Sequence, residues 1–566
     1  MRSFFAELKR RKVYQAAAFY AAASWLLVQI AAQIFPLFDL PNWPIRLIVI
    51  ATIVGFPLAV ALSWFYEWTP AGFRRESEAE RSEAIARLVG QALDRHSAVT
   101  PKSPLANVPS SANEQSIAVL PFVDMSESKG QEYFSDGLAE ELLNLLAQLP
   151  QLRVIARTSS FSFKGKDVDV ATIATALNVA SVLEGSVRKS GNMLRVTAQL
   201  IRAADSTHVW SQTYQREMTD VFAVQDDIAR EVVAALKVKL LPDQHMTNVH
   251  RTGTTEAYDQ YLLGQDVFRR GRYDDYQRAL PAFQRAIALD PQYAPAYASL
   301  ASAQSAVADY AATPAERAAG KQQALASAEK AISLAPDLAD GYVMRGQIRY
   351  RQLWDWEGAE ADYQRALALD PNRSDALTGY GLALHNLGRL EEALTLSRRA
   401  IDADPLSWLG WMLYGAILRR IGHIAEARAA LVHALEISTN SSFAHHVLGS
   451  LELDNGNAAS ALEHFHRAGE GYAQAGIAMA EHTLGNMRES QVALDELKAK
   501  YAAGFSFQIA QAHAWRGEKD AAFEWLDRGY AQHDPGILRV RGDPQLASLQ
   551  NDPRYAALLR KLNYPE

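Results

Sequence analysis

Residues 283–291 read FQRAIALDP, and residues 363–371 read YQRALALDP. The likeness extends beyond that pair. A small–large–small–proline frame, stepped by four, three and five residues, appears at Ala279, Phe283, Ala286 and Pro291. It returns at Ala324, Ala328, Ala331 and Pro336, then at Ala359, Tyr363, Ala366 and Pro371, then at Ala393, Ser397, Ala400 and Pro405. Upstream, Gly264, Ala301, Gly346, Gly381, Gly415 and Gly449 stand in register with it. Small residues let two helices approach closely, the large residue fills the gap between them, and proline stops the second helix. A period of about 34 residues predicts an all-α superhelical solenoid of helix pairs. Gly388, Gly422 and Gly456 fall where the turns within pairs belong. Later copies lose the proline, as in Ala427/Leu431/Ala434 and Ala461/Phe465/Ala468, and Gly485 and Gly517 mark two weaker units. The expectation is about eight repeats over 253–535. Residues 536–566, with RGDPQLASLQNDPRYAALLRKL at 541–562, read as a terminal cap that shields the last repeat.

Upstream of the repeats the pattern changes. Ile117–Phe122 reads as a buried strand. Leu138, Leu142, Leu145, Leu146 and Leu149 share one helical face, with Ser135 or Asp136 as cap. Arg153–Ala156 is a short strand and Val170–Leu177 a short helix. Val182–Val187 and Leu194–Ile201 flank Ser190-Gly191-Asn192, a hairpin turn. His208–Tyr214 is a further strand, and Val221–Leu240 an amphipathic closing helix. The order predicts a small α/β domain over 116–242.

At the start, Val13–Phe38 and Leu47–Tyr66 carry no formal charge, and Pro36, Pro41 and Pro44 break the chain between them. Each run as a helix is long enough for a hydrocarbon core of about 30 Å, and the first is too long for a signal peptide. Trp64, Tyr66 and Trp68 suit an aromatic belt. These features predict a two-helix transmembrane hairpin over 13–67, which also offers a homo-oligomer contact. Arg2, Lys9, Arg10, Arg11 and Lys12 precede it, and Arg74, Arg75, Arg81 and Arg87 follow it. The positive-inside rule then places the 1–12 tail and the soluble domains in the cytoplasm of a bacterial inner-membrane protein, with the periplasm as alternative. Residues 68–115, including SAVTPKSPLANVPSSAN at 97–113, read as a linker.

Three resemblances accompany these readings. The repeat frame resembles the tetratricopeptide repeat (TPR). The stretches IAVLPFVDMS, EYFSDGLAEELLNLLAQLPQLRVIARTSSFSFKGK, VLEGSVRKSGNMLRVTAQLIRAADSTHVWSQTY and VFAVQDDIAREVVAAL resemble the TolB N-terminal-like domain, similar to the FlgO domain. That likeness implies a non-catalytic domain set before helical repeats in bacterial membrane proteins. The opening FFAELKRRKVYQAAAFYAAASWLLVQ and the C-terminal tail resemble the non-catalytic parts of proteins that join such repeats to cyclase or kinase domains.

Composition narrows the chemistry. The chain has 57 basic and 64 acidic residues in 566, net −7, and no cysteine. Disulfides, thiolate metal sites and a cysteine nucleophile are excluded. Residues 243–566 hold 32 basic and 40 acidic side chains, which argues against nucleic acid as a partner. No phosphate-binding loop, dinucleotide fingerprint or H-E-x-x-H motif is found. Ser126–Lys129, Ser186–Lys189 and Ser327–Lys330 match S-x-x-K without companion motifs. Of His445, His446, His464 and His466, at most two can converge, because residues one or two apart do not share a helical face. No cofactor or metal is expected. Equivalent positions in repeats three to five carry Tyr350 and Arg351, His385 and Asn386, and Arg419 and Arg420. Stacked in the groove, they form a basic, hydrogen-bonding column suited to an anionic protein or peptide; as plain surface they are solvated helix ends. The expected function is a non-enzymatic, membrane-anchored scaffold that binds protein partners through the groove. The alternative is a signalling receptor whose α/β domain binds a small ligand and acts on a separate enzyme.

Overall fold

The computed structural model describes residues 66–69, 72–75, 114–126, 132–149, 151–236, 250–311 and 313–565. The chain divides into two units, Met1–Arg87 and Leu88–Glu566.

In the first unit, β1 (Tyr66–Thr69) pairs antiparallel with β2 (Gly72–Arg75), Tyr66 opposite Arg75 and Thr69 opposite Gly72. This corrects the hairpin reading. Tyr66 and Trp68, expected as the aromatic end of a membrane helix, lie in a strand, where the backbone bonds across a turn rather than along a helix. Among the described residues no helix is long and apolar enough to cross a membrane. Residues 13–65, the basic 1–12 tail and most of the 68–115 linker lie outside the described residues. The two-helix transmembrane hairpin and the multi-pass inner-membrane placement are therefore set aside.

The second unit opens with a mixed sheet. Its strands are β3 (Ser116–Val119), β4 (Val123–Asp124), β5 (Arg153–Val154), β6 (Ser181–Ser190), β7 (Met193–Arg202) and β8 (His208–Glu217), in the order β5-β3-β6-β7-β8, with β4 also on β6. β3 runs parallel to β5 and β6, while β6, β7 and β8 form an antiparallel meander. Gly191, at φ +58, supplies the left-handed step of the β6–β7 turn. Leu194, Val196, Ala198 and Leu200 alternate inward from β7. They meet helix Glu132–Ala147, through Leu138, Leu142 and Leu146, and helix Val221–Ala235, through Val224, Ile228 and Val232.

Among the described residues, eight helix pairs follow. The first is Thr255–Arg269 with Tyr273–Leu289, the third Ala339–Ile348 with Trp356–Leu369, and the eighth Ser506–Trp515 with Lys519–Gln532. The frame residues do what their sizes suggest. A Cβ on Gly264 would lie 2.6 Å from the Phe283 ring, one on Gly415 2.7 Å from Leu431, and one on Gly449 2.7 Å from Phe465. Helices this close exclude any larger side chain.

The sheet domain is tied to the solenoid at two places. At the first repeat, Tyr258 and Leu262 join the sheet domain's own core, Gln225 donates to the Tyr258 hydroxyl at 2.9 Å and Tyr133 donates to Asp259 at 2.9 Å. At the end of the fourth repeat, Ala156 N–H donates to Ala403 C=O at 2.8 Å and Arg153 donates to Asp402 C=O at 2.8 Å. There Leu406 N–H donates to the Ser159 hydroxyl at 2.8 Å, and that hydroxyl donates to buried Asp404.

Candidate functional site

The structure brings five of the six predicted groove residues together and buries most of their polar atoms. Asn386 donates its side-chain amide to the Tyr350 hydroxyl, and its own oxygen lies 3.2 Å from His385 Nδ1. Arg420 donates to His385 C=O from the next repeat. Arg419 donates to Asp454 at 2.7 Å. Burial, with Arg420 beside it, pushes the His385 pKa down to about 3. Arg351 alone of the six is exposed, and it has no carboxylate within ion-pair distance among the described residues.

The column is covered by the chain's own C-terminal segment. Arg420 also donates to Arg541 C=O at 3.2 Å. The Trp356 indole donates to Leu562 C=O at 2.9 Å and packs 4.7 Å from the Tyr564 ring. Gln545 donates to Ser450 at 3.0 Å and accepts from Gln511 at 2.8 Å. Leu546, Leu549 and Leu562 are fully buried in one apolar cluster with Leu384, Leu418 and Leu451. Residues 535–565 thus pack on the last repeat and also along the first helices of repeats four to six, reaching repeat three at Trp356. A burial signal was present in the sequence, in the leucines and tyrosines of ASLQNDPRYAALLRKLNY and in the paired Trp354 and Trp356. The surface they cover carried none.

Repeats one to three keep an open inner surface. Their first helices, the Arg373–Asp375 start of repeat four and Glu140 of the sheet domain line a chamber of about 170 Å³. Its wall is polar and of both signs. Arg269 pairs with Glu140, which also lies 3.1 Å from Arg157. Arg373 spans both oxygens of Asp340 at 3.0 Å and reaches Asp375 at 2.9 Å. Burial works against the Arg373 charge, yet Asp340 and Asp375 outweigh it and hold its pKa well above the usual value. Gln265 donates to Ser299 at 2.7 Å. Such a wall offers donors and acceptors together, as a peptide backbone requires. The residues are not catalytic in arrangement: each charge is engaged by its opposite rather than aimed at a shared point. The histidines weighed for metal binding lie elsewhere, with the His445 and His464 rings stacked at 5.7 Å and His446 buried.

Comparison with known proteins agrees with the repeat reading. A tetratricopeptide repeat profile matches residues 362–395. Residues 113–231 match a profile described as "HilA/YgeH-like transcriptional regulator, second domain"; the expected TolB N-terminal-like assignment is not what this match gives. "Putative adenylate cyclase 3" of Rhizobium meliloti (strain 1021) is 39% identical over 186 residues, 33% of this chain and 32% of that protein. "Tetratricopeptide repeat protein 7B" of Homo sapiens is 29% identical over 119 residues, 21% of this chain and 14% of that protein. The chain thus spans a third or less of the curated relatives it matches. Among solved structures, a tetratricopeptide repeat protein from Parabacteroides merdae is 14% identical at TM-score 0.34, covering 48% of this chain and 99% of that one. At those values nothing functional transfers. The chain is a TPR-repeat protein with a helical solenoid, a small mixed-sheet domain and homology to a protein named as a putative adenylate cyclase.

Proposed function

We propose that this protein is a non-catalytic interaction scaffold whose partner segment enters the chamber between Glu140 and repeats one to three. One observation carries the reading: the inner helices of repeats four to six are covered by residues 535–565, whereas those of repeats one to three, with Arg373 and Asp375 at the start of repeat four, keep a polar cavity of about 170 Å³. Concave solenoid surfaces are the usual recognition face of such repeats, and a wall of engaged opposite charges selects sequence by exchanging partners with charged side chains of the ligand. The column of Tyr350, Arg351, His385, Asn386, Arg419 and Arg420 would serve an anionic partner only if residues 535–565 withdrew. The test is site-specific photo-crosslinking in cells, with the photoreactive residue at Ser302 or at Arg419. Partner capture at Ser302 and none at Arg419 is expected; the reverse would sink the reading.

A second reading is a receptor that acts on a separate enzyme, a cyclase being the class that the 39% identical relative's name suggests. The double tie of the sheet domain favours it. A ligand that shifts the sheet would strain both the Tyr258 contact and the Ser159–Asp404 contact, and so reach repeats one and four together. A small-molecule thermal-shift screen on residues 116–565 checks this: a specific stabilising ligand supports the receptor, and an empty screen removes it.

A further inference from the structure

Repeat three departs from its neighbours at the turn within the pair. In six of the other repeats that turn holds a left-handed glycine, Gly271, Gly388, Gly422, Gly456, Gly485 and Gly517, at φ from +76 to +92, while repeat two has no glycine between Ala308 and Pro314. In repeat three the left-handed residue is Trp354, at φ 52, after a π-helical turn over Arg349–Leu353. A bulky residue held there is strained and persists only where its surroundings enforce it. The enforcing contacts come from the far end of the solenoid. The indole stacks on His533 at 4.6 Å and 18°, and lies 5.1 Å from Tyr530. His533 is itself left-handed, at φ 51.

Beside this stack opens a cleft of about 140 Å³, between the second helix of repeat two, the π-helical turn and the end of repeat eight. Leu325, Ile348 and Leu353 give it an apolar floor, with Leu353 left 47% exposed. Gln322, Gln352 and Gln532 line it with amides. Its charge is one-sided. Lys321 is buried and paired with Asp309 at 2.7 Å. Arg317 also lines the cleft and has no carboxylate within ion-pair distance among the described residues. Arg351 is likewise unpaired and near enough that it and Arg317, after burial, push the Lys321 pKa down. Two cations, Arg317 and Lys321, thus line the cleft, with one carboxylate, Asp309, paired to Lys321, and Arg351 stands next to the lining Gln352, in a chain of net charge −7.

We propose that this cleft binds a small apolar carboxylic acid as its carboxylate. Arg317 takes the carboxylate, where a guanidinium can offer two parallel N–H donors. The glutamine amides complete its hydrogen bonds, and a short hydrocarbon body covers Leu325, Ile348 and Leu353. Binding would relieve repulsion among Arg317, Lys321 and Arg351, and would join repeat two to repeat eight across the closure. The proposal does not rest on the chamber reading.

The test titrates the full chain with three probes, by calorimetry and thermal shift: hexanoate, hexanamide, and the acetylated tetrapeptide Gly-Ser-Gly-Leu with a free C-terminus. Hexanoate is expected to bind at least tenfold tighter than hexanamide. Arg317→Gln should remove that difference without lowering the unliganded melting temperature, since the Arg317 side chain makes no ion pair among the described residues. Arg285→Gln, at an exposed pair with Glu256, should leave it intact. Equal binding of acid and amide overturns the proposal, as does an unaffected Arg317→Gln protein. Tighter binding of the tetrapeptide than of hexanoate overturns the free acid as ligand and assigns the cleft to a chain end.

Discussion

Repeats one to three and repeats four to six share one helix-pair frame, yet their inner surfaces are used in opposite ways. The early repeats face a polar chamber roofed by Glu140. The later ones are filled with leucine and tyrosine from residues 535–565. The same small-residue spacing supports both, because it governs only how the two helices of a pair pack. What the inner face does depends on what else the chain brings to it. A solenoid usually leaves that face for partners; here the later half spends it on its own stability.

The most direct way to break the contrast is Leu562→Ala. Leu562 is fully buried in the cluster that unites the C-terminal segment with repeats three to six. A cavity there should cost about 2–5 kcal/mol, read as a fall in the urea midpoint of the later repeats. A loss near zero would mean the segment is a loose cover rather than core.

Acid should weaken the same half. Burial holds the His385 pKa at about 3 in the folded chain, below the unfolded value of about 6.5. The unfolded state therefore takes the proton first. Stability contributed by neutral His385 is complete above pH 6.5 and drains as pH falls from about 6.5 towards 3, by roughly 5 kcal/mol in all. His446 shifts in the same direction by burial and adds to the slope. His385→Gln should flatten the stability profile measured by urea unfolding between pH 7 and 4. An unchanged slope would place the acid sensitivity elsewhere.

The tie between the sheet domain and repeat four is a smaller term. Ser159→Ala removes both the donor to buried Asp404 and the acceptor for Leu406 N–H. Losing such buried hydrogen bonds costs about 1–3 kcal/mol, read as a fall in the urea midpoint of the full chain. An unchanged midpoint would show that the Tyr258 and Leu262 contacts alone hold the domain.

The weakest expected effect lies in the open half. Asp340→Asn should leave Arg373 its partner Asp375 and change folding by no more than about 1 kcal/mol. Partner affinity should nevertheless change at least tenfold, read by titration of the captured segment. An unaltered affinity would remove the chamber from the binding surface.

Much of this architecture was legible in the residues. The small–large–small frame specifies close helix pairs, since Gly264, Gly415 and Gly449 admit no Cβ beside their partners. The alternation of Leu194, Val196, Ala198 and Leu200 marked a strand with one buried face. The membrane reading is corrected at its far end: Tyr66 and Trp68 sit in a strand, because β-propensity and a short turn can satisfy the same backbone groups, and no helix among the described residues is long and apolar enough to cross a membrane. The groove column lies under residues 535–565, and that cover was not legible in it.

Sequence alone determined the helix pairs, their period and the strand-and-helix order of the sheet domain. Each depends on contacts between residues close in the chain, and such contacts leave a repeating pattern. Only the tertiary structure decided which inner surface stays open. Trp356 meets Leu562, Arg420 meets Arg541, Trp354 stacks on His533, and Ser159 meets Asp404, all across long stretches of chain. Superhelical curvature, accumulated from small rotations at every repeat, brings those partners together. No local period records that sum, so the seal over the later repeats, the chamber in the early ones and the basic cleft at the closure appear only once the solenoid has turned back on itself.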